Sequence, residues 1–437
     1  VGSEMCIRDR SDFAGLSMVS PESVGFSSER LGKISRVMED AIDHKQVPGV
    51  ATVVARKGEI VHAHAAGKLD IERPELLGMD SLFRMYSQSK PITAVVAMTL
   101  FEEGLIFLDD PITKWLPEFE NRRVVSYPTA KDRVKGASIE LAGSEAASRD
   151  LTIFDLMTMT SGLPGMSRTP VAYWHQYYPS MEGSGFVPGD TLINDPPRTY
   201  EEMVLSLADV PLHSQPGEVW NYGADFDVLS LLLERASGKP LNELFKERVL
   251  QPLSMNDTGF YCDPGEVHRL VTDHAWNEKG EIVPRERPED AEKASGANRK
   301  LMSGNGLFGG LLSTPQDYAR FAQMLLNGGT LDGQRILGRK TIEMLRTNHI
   351  GDRQIDLGPG PGWGFGLGYA VRSSLGGGFG PGSLGAFAWG GAAGTWFFVD
   401  PVEDMWAMFF THVFGYQFSP TADLPIRFEN MVYQALV

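Results

Sequence analysis

A chain of 437 residues is long enough for two lobes of ordinary size, and 42% apolar with 22% charged residues describes a globular, water-facing protein. A formal net charge of −16, with no block of Lys or Arg, excludes a nucleic-acid binder, which needs a basic face, and a protein drawn to an acidic membrane surface. The two cysteines, Cys6 and Cys262, make neither a disulfide framework nor a metal cluster, and no apolar run is long enough to span a bilayer.

Residues 1–23 are expected to form a tail outside the fold. Val1 to Arg10 lacks the apolar core of a signal peptide and matches nothing that follows. With no export signal in view, the cytoplasm is the default compartment. Ser27-Ser28-Glu29 then opens a helix with Leu31, Ile34, Val37, Met38 and Ile42 on one stripe. A hairpin follows: Val50 to Arg56, a turn at Lys57-Gly58, and Glu59 to His64 with Ile60, His62 and His64 on one face. Helical segments dominate from about Ser87 to Met255. Among them Thr199-x-x-Glu202 is a capping box, and Phe226 to Ala236 is a helix closed by Gly238. Thr314-Pro315-x-Asp317 opens another helix, which Gly328-Gly329 ends.

Strand patterns return at the C-terminal end. Phe365 to Val371 and Thr395 to Val399 read as extended, and Met405 to Phe410 pairs back after a turn at Asp400-Pro401. The Gly-rich run from Gly358 to Gly368 lacks the strand and helix of a dinucleotide loop, and reads as flexible or closely approached backbone. These elements predict an α/β (α+β) protein: one antiparallel sheet formed from both termini and flanked by helices, with a mostly helical lobe inserted. The boundaries expected are 24–86 with about 300–437 for the sheet lobe, and about 87–299 for the helical one.

Ser87-Gln88-Ser89-Lys90 is the chain's one Ser-x-x-Lys, a pattern that chance supplies about once in a chain of this length. Its setting is more informative. It follows the strand-like Phe83-Arg84-Met85 and opens the apolar helix Ile92 to Leu100, with Pro91 in the tolerated first turn. Free backbone N–H groups at a helix start can hold an oxyanion, and a lysine three residues on shares the face of the serine. A lysine in such a buried place can serve as a base. Tyr222 stands in Pro216-Gly217-Glu218-Val219-Trp220-Asn221-Tyr222, just ahead of the Phe226 helix. It either turns its hydroxyl toward Ser87 and Lys90 or merely packs at a helix start. Trp389-Gly390-Gly391-Ala392 ends a short strand with backbone bare enough for a ligand to approach, or simply makes a tight turn.

In this order and spacing the three pieces resemble the serine β-lactamase and penicillin-binding-protein superfamily, and most of all the class C β-lactamase-like family VIII carboxylesterases. The resemblance runs from about Val24 to the C-terminus. It also takes in Thr158-Met159-Thr160-Ser161-Gly162-Leu163, Gln251-Pro252-Leu253-Ser254-Met255-Asn256-Asp257-Thr258 and Gly309-Gly310-Leu311-Leu312-Ser313-Thr314. It implies Ser87 as nucleophile, Lys90 as its base and Tyr222 as the proton relay. The backbone N–H groups of Ser87 and Ala392 are implied as the oxyanion hole, and Trp389, Gly390 and Gly391 as substrate-binding positions. Which of Lys90 and Tyr222 takes the serine proton stays open.

Two departures bear on substrate. The lactamase Tyr-x-Asn is here Tyr222-Gly223-Ala224, and Lys-Thr-Gly is here Trp389-Gly390-Gly391. Without the carboxylate-anchoring Lys and Thr, a charged β-lactam loses its hold, while an indole offers an apolar wall to an uncharged ester. Met159, where the family usually has His, carries no consequence for function.

Other constellations fail. There is no Gly-x-Ser-x-Gly elbow and no His-Glu-x-x-His, and His62-x-His64 has no third ligand at a suitable spacing. His44, His175, His213, His268, His274, His349 and His412 are scattered. The reading is therefore a serine carboxylesterase for short, uncharged acyl esters, with no cofactor, no metal, a small-molecule ester as its partner and an unknown oligomeric state. An acyltransferase, an amidase or peptidase, or a weak β-lactamase of the same family is the alternative. An inactive binding protein on this fold would have no need of Ser87, Lys90 and Tyr222 together.

Overall fold

The computed structural model describes residues 12–126, 143–165, 199–289, 310–376, 380–419 and 422–437. Its main sheet has seven antiparallel strands: β1 (Gly49–Arg56), β2 (Glu59–Gly67), β3 (Trp363–Phe365), β4 (Ala370–Arg372), β5 (Phe387–Gly390), β6 (Trp396–Asp400) and β7 (Met405–Phe410). The strand order is β3-β4-β5-β6-β7-β1-β2. The first hairpin thus joins beside the last strand, with Ala51 opposite Phe410 and Arg56 opposite Met405. This is the expected α+β architecture, a sheet made from both ends of the sequence.

Side-chain alternation decides what covers each face. Phe398 of β6 stacks on Tyr433 and Phe409 of β7 meets Phe428, both from helix Leu424–Gln434. Phe397 and Phe410, one residue away in each strand, point to the opposite face and meet Tyr318 of helix Pro315–Leu326. Trp406 is on that second face too, its Nε1 donating to Gln323 Oε1 at 2.8 Å. Helix α1 (Ser28–Asp43) buries Leu31, Ile34 and Met38, and Ser27 caps it by accepting from Arg30 N–H at 3.3 Å. The helices most relevant to function are α2 (Lys90–Glu102) and α3 (Asp225–Ser237), the latter closed by Gly238 at φ 67°. Thr199 and Glu202 form their capping box ahead of Tyr200–Ser206.

Two expectations need correction. Phe365 to Val371 is not one extended segment. Gly366 to Tyr369 turns the chain, so that β3 and β4 pair with Phe365 opposite Ala370. At Gly368, φ is 90° and a Cβ would lie 2.9 Å from that of Ala94, so the turn admits no side chain. Nor does the N-terminal stretch lie outside the fold throughout. From residue 12 it packs on the body, with Phe13 and Leu16 in the core, Ala14 accepting from Arg320 at 2.6 Å, and Val19 N–H donating to Ile60 at 3.0 Å. A run that alternates weakly and is rich in Ser gave no local sign of this. The remainder of that stretch, with Cys6, and likewise His175 and Gly309 fall outside the described residues.

Candidate active site

Phe83–Arg84 pairs with Leu312–Ser313, and Met85 N–H donates to Leu311 at 2.8 Å. The chain then makes a 3₁₀ turn, Tyr86–Ser89, before entering α2 at Lys90. Three neighbours pin the turn. Leu311 N–H donates to Ser89 Oγ (2.8 Å), the Tyr318 hydroxyl to Gln88 O (3.1 Å), and the Tyr369 hydroxyl to Pro91 O (3.0 Å). Tyr86 itself stands at φ 45°, a left-handed conformation that costs a bulky residue about 1–3 kcal/mol.

Ser87 is half-buried, second in its turn, where a backbone N–H has no acceptor within the helix. Lys90 is fully buried on the same helical face. Its Nζ lies 3.3 Å from Ser87 Oγ and 4.9 Å from the centre of the Tyr222 ring. Tyr222 therefore does approach the pair, and the recorded approach is the face of its ring over the lysine.

The Thr158–Leu163 motif explains why the Tyr222 loop sits there. Asn221 N–H donates to Met159 O (2.9 Å), Asn221 Nδ2 to Leu163 O (2.9 Å) and Gly217 N–H to Thr160 O (2.7 Å). Met159 is the left-handed cap of its helix at φ 55°. Ser161 Oγ donates to Asp225 Oδ1 at 2.5 Å, at the start of α3. Asp225 is wholly buried, and that burial pushes its carboxyl up to about 8.

The register of β5 puts Trp389 opposite Phe397, on the sheet face where Phe397 meets Tyr318 of helix Pro315–Leu326. Its indole lies 5.5 Å from Tyr222 and 5.3 Å from Phe365, which in turn lies 5.5 Å from Trp220. At 3% exposure Trp389 is a buried member of this aromatic cluster and not a wall open to solvent. After Gly390, the chain presses on the nucleophile turn: a Cβ at Gly391 would come within 2.5 Å of the Met85 carbonyl oxygen. Ala392 O accepts from Gly415 N–H at 2.9 Å.

Ser87, Lys90, Tyr222, Trp389 and Gly391 thus share one neighbourhood. His62 and His64 belong elsewhere, on β2. His62 Nε2 is 2.8 Å from Thr52 Oγ1 and burial pushes this imidazole down to about 3, while His64 faces Glu39 at 3.3 Å. Among the described residues, no three His, Cys, Asp or Glu side chains gather to hold a metal ion. Sequence reasoning missed a polar group beneath the turn: Tyr86, Asp273, Arg285 and His412. The Tyr86 hydroxyl donates to Asp273 Oδ2 at 2.8 Å. Only the place of Tyr86, next to the serine, could have drawn attention to it.

Comparison with known proteins places the chain in a wider set. The family model described as Beta-lactamase matches residues 34–429. An uncharacterized protein of Mycobacterium tuberculosis is 32% identical over 387 residues, 84% of this chain and 86% of the relative. Esterase EstB of Burkholderia gladioli is 35% identical over 232 residues, 52% of this chain and 51% of the esterase. Among solved structures, EstCE1, described as a hydrolase with promiscuous acyltransferase activity, superposes with a TM-score of 0.72 at 25% identity. That match covers 93% of this chain and 99% of EstCE1.

Proposed function

Because the chain belongs to the Beta-lactamase family of serine hydrolases, we propose that it is a carboxylesterase that cleaves short, uncharged acyl esters through an acyl-enzyme on Ser87. The observation that carries this reading is the 3.3 Å approach of a fully buried lysine to a half-buried serine hydroxyl. Ser87 Oγ attacks the acyl carbon and its proton passes to Lys90 Nζ or, through it, to Tyr222. The carbonyl electrons move onto oxygen, held by the N–H groups of Ser87 and Ala392. The tetrahedral species then expels the alcohol, which leaves with a proton from Tyr222. Water repeats the sequence on the acyl group and frees Ser87.

The preference for neutral esters rests on Trp389 and Ala224. A buried indole packed on Tyr222 stands where an ammonium would anchor a substrate carboxylate, and Ala224, also buried, offers no amide. The esterase relative supports ester cleavage as the reaction. A second reading, transfer of the acyl group to an alcohol in place of water, is favoured by the description of EstCE1. It uses the same residues up to the acyl-enzyme.

A p-nitrophenyl phosphonate tests the core of this proposal. The expected result is one adduct by intact mass, on the peptide that contains Ser87, with loss of esterase activity in step with labelling. An adduct on another serine overturns the assignment. Adding a primary alcohol to the ester assay and measuring new ester against free acid separates transfer from hydrolysis.

A further inference from the structure

Two pieces of backbone flank Ser87: the turn that carries it and the Gly391–Ala392 segment that ends β5. A third element joins them. Tyr86 Oη donates to Asp273 Oδ2 (2.8 Å), and Arg285 Nη1 donates to the same oxygen (2.5 Å) from the paired strand Ile282–Glu286. The Asp273 side chain is wholly buried. The following residue, His274, donates its N–H to His412 O (3.3 Å) and accepts Phe414 N–H on its carbonyl (2.7 Å). On the other edge of that same segment, Val413 N–H donates to Ala393 O and Gly415 N–H to Ala392 O, both at 2.9 Å. His412, fully buried, stacks on Tyr86 with ring centres 6.1 Å apart, and its Nε2 is 3.5 Å from Asp273 Oδ1. The Ser87 turn and the Ala392 segment therefore hang from two consecutive residues, Asp273 and His274.

We propose that Asp273 is a positioning residue for the oxyanion hole, fixing through Tyr86 and through the 412–415 segment the separation of the Ser87 and Ala392 N–H groups. The inference rests on the role given to those two N–H groups above. A tyrosine keeps a left-handed backbone only where its surroundings over-determine it, and the 2.8 Å hydrogen bond to Asp273 is the shorter of two polar restraints at the far end of that side chain, Arg285 donating to the same hydroxyl at 3.4 Å. Donors of an oxyanion hole work within about 2.7–3.1 Å of the developing charge, and a displacement of about 1 Å can cost about 10²-fold in rate. If Asp273 served only to pair with Arg285 in its hairpin, its loss would lower stability and leave the hole untouched.

Two variants separate these cases: Asp273→Asn, and Tyr86→Phe, which keeps the ring and removes the hydroxyl that donates to Asp273 and accepts from Arg285 at 3.4 Å. Each is assayed with p-nitrophenyl butyrate and with a trifluoromethyl ketone, whose adduct on Ser87 places an oxyanion in the hole. The expected result is a kcat loss of about 10- to 100-fold with KM held within about threefold, and ketone affinity weakened in parallel with kcat. The double variant should be no worse than the worse single one. Unchanged kcat and ketone affinity in Tyr86→Phe overturns the proposal, even if Asp273→Asn fails to fold. Parent activity that survives Ser87→Ala instead overturns the esterase reading itself, and this inference with it.

Discussion

The two walls around Lys90 are held by different forces. On the Ser87 side the fixings are polar and far-reaching, from Tyr86 to Asp273 and from Ser89 to Leu311. On the Tyr222 side the ring meets both Lys90 and Trp389, in a cluster of four aromatic residues, and its loop is tied to Met159, Thr160 and Leu163. A buried carboxyl there, Asp225, accepts from the hydroxyl of Ser161. The polar wall depends on the direction of a few bonds, whereas the aromatic wall depends on volume and on keeping one carboxyl neutral. They should therefore fail in different ways.

The largest effect is expected at the nucleophile. Ser87→Ala should lower p-nitrophenyl butyrate turnover by about 10³-fold or more with an unchanged circular dichroism spectrum, since groups that act as a unit are lost with any one member. Lys90→Ala and Tyr222→Phe should each cost about 10² in kcat. Their double variant should cost far less than the product of the two, and near-full activity in Tyr222→Phe would return Tyr222 to a packing role. Substrate class should sharpen the contrast at the aromatic wall. A charged hydrogen bond to a substrate anion is worth about 1.5–3 kcal/mol, so its absence at Trp389 should disfavour β-lactams by about 10- to 100-fold. kcat/KM for p-nitrophenyl acetate or butyrate should then exceed that for nitrocefin. Efficient nitrocefin hydrolysis with little esterase activity would contradict the role given to Trp389.

The smallest effect concerns pH. Asp225, at about 8 in the fold, would lose its proton near pH 3.9 in an unfolded chain. Between those values the native chain holds a proton that the unfolded chain has released. The contribution to stability is thus complete below about pH 4 and is lost as pH climbs to about 8. Asp225→Asn keeps an acceptor for Ser161 and removes the titration. It should shrink the fall in Tm between pH 5 and pH 9 by about 2 °C or more, and an unaltered fall would show that another group governs it.

What the sequence made legible was local. The stripe of α1, the caps at Ser27, Thr199 and Thr314, and the pairing of β6 with β7 rest on neighbours a few residues apart, which periodicity and turn chemistry report directly. The turn inside 365–371 escaped because its apolar residues alternate with glycines as a strand's would. Only contact with Ala94 and the left-handed backbone of Gly368 shows that the chain reverses. Trp389 was legible as a departure, but not its burial, which depends on the register of β5 against β6. Asp273 was invisible because its partner Tyr86 is 187 positions away, and a polar pair at that range leaves no trace in composition or period.

The placement of β1 beside β7 also governs how the molecule is assembled. Seven of the eight residues of β1 are buried, yet the partner strand on its β7 side lies more than three hundred positions downstream. Closing so long a loop carries an entropic cost that local helices such as α2 do not bear, so the sheet should be among the last parts to form. Until β7 arrives, an apolar strand edge stands open to other chains. Slow refolding with losses to aggregation at high protein concentration is the consequence, and the nucleophile turn, fixed partly by residues 311 and 369, would gain its final geometry only at that closing step.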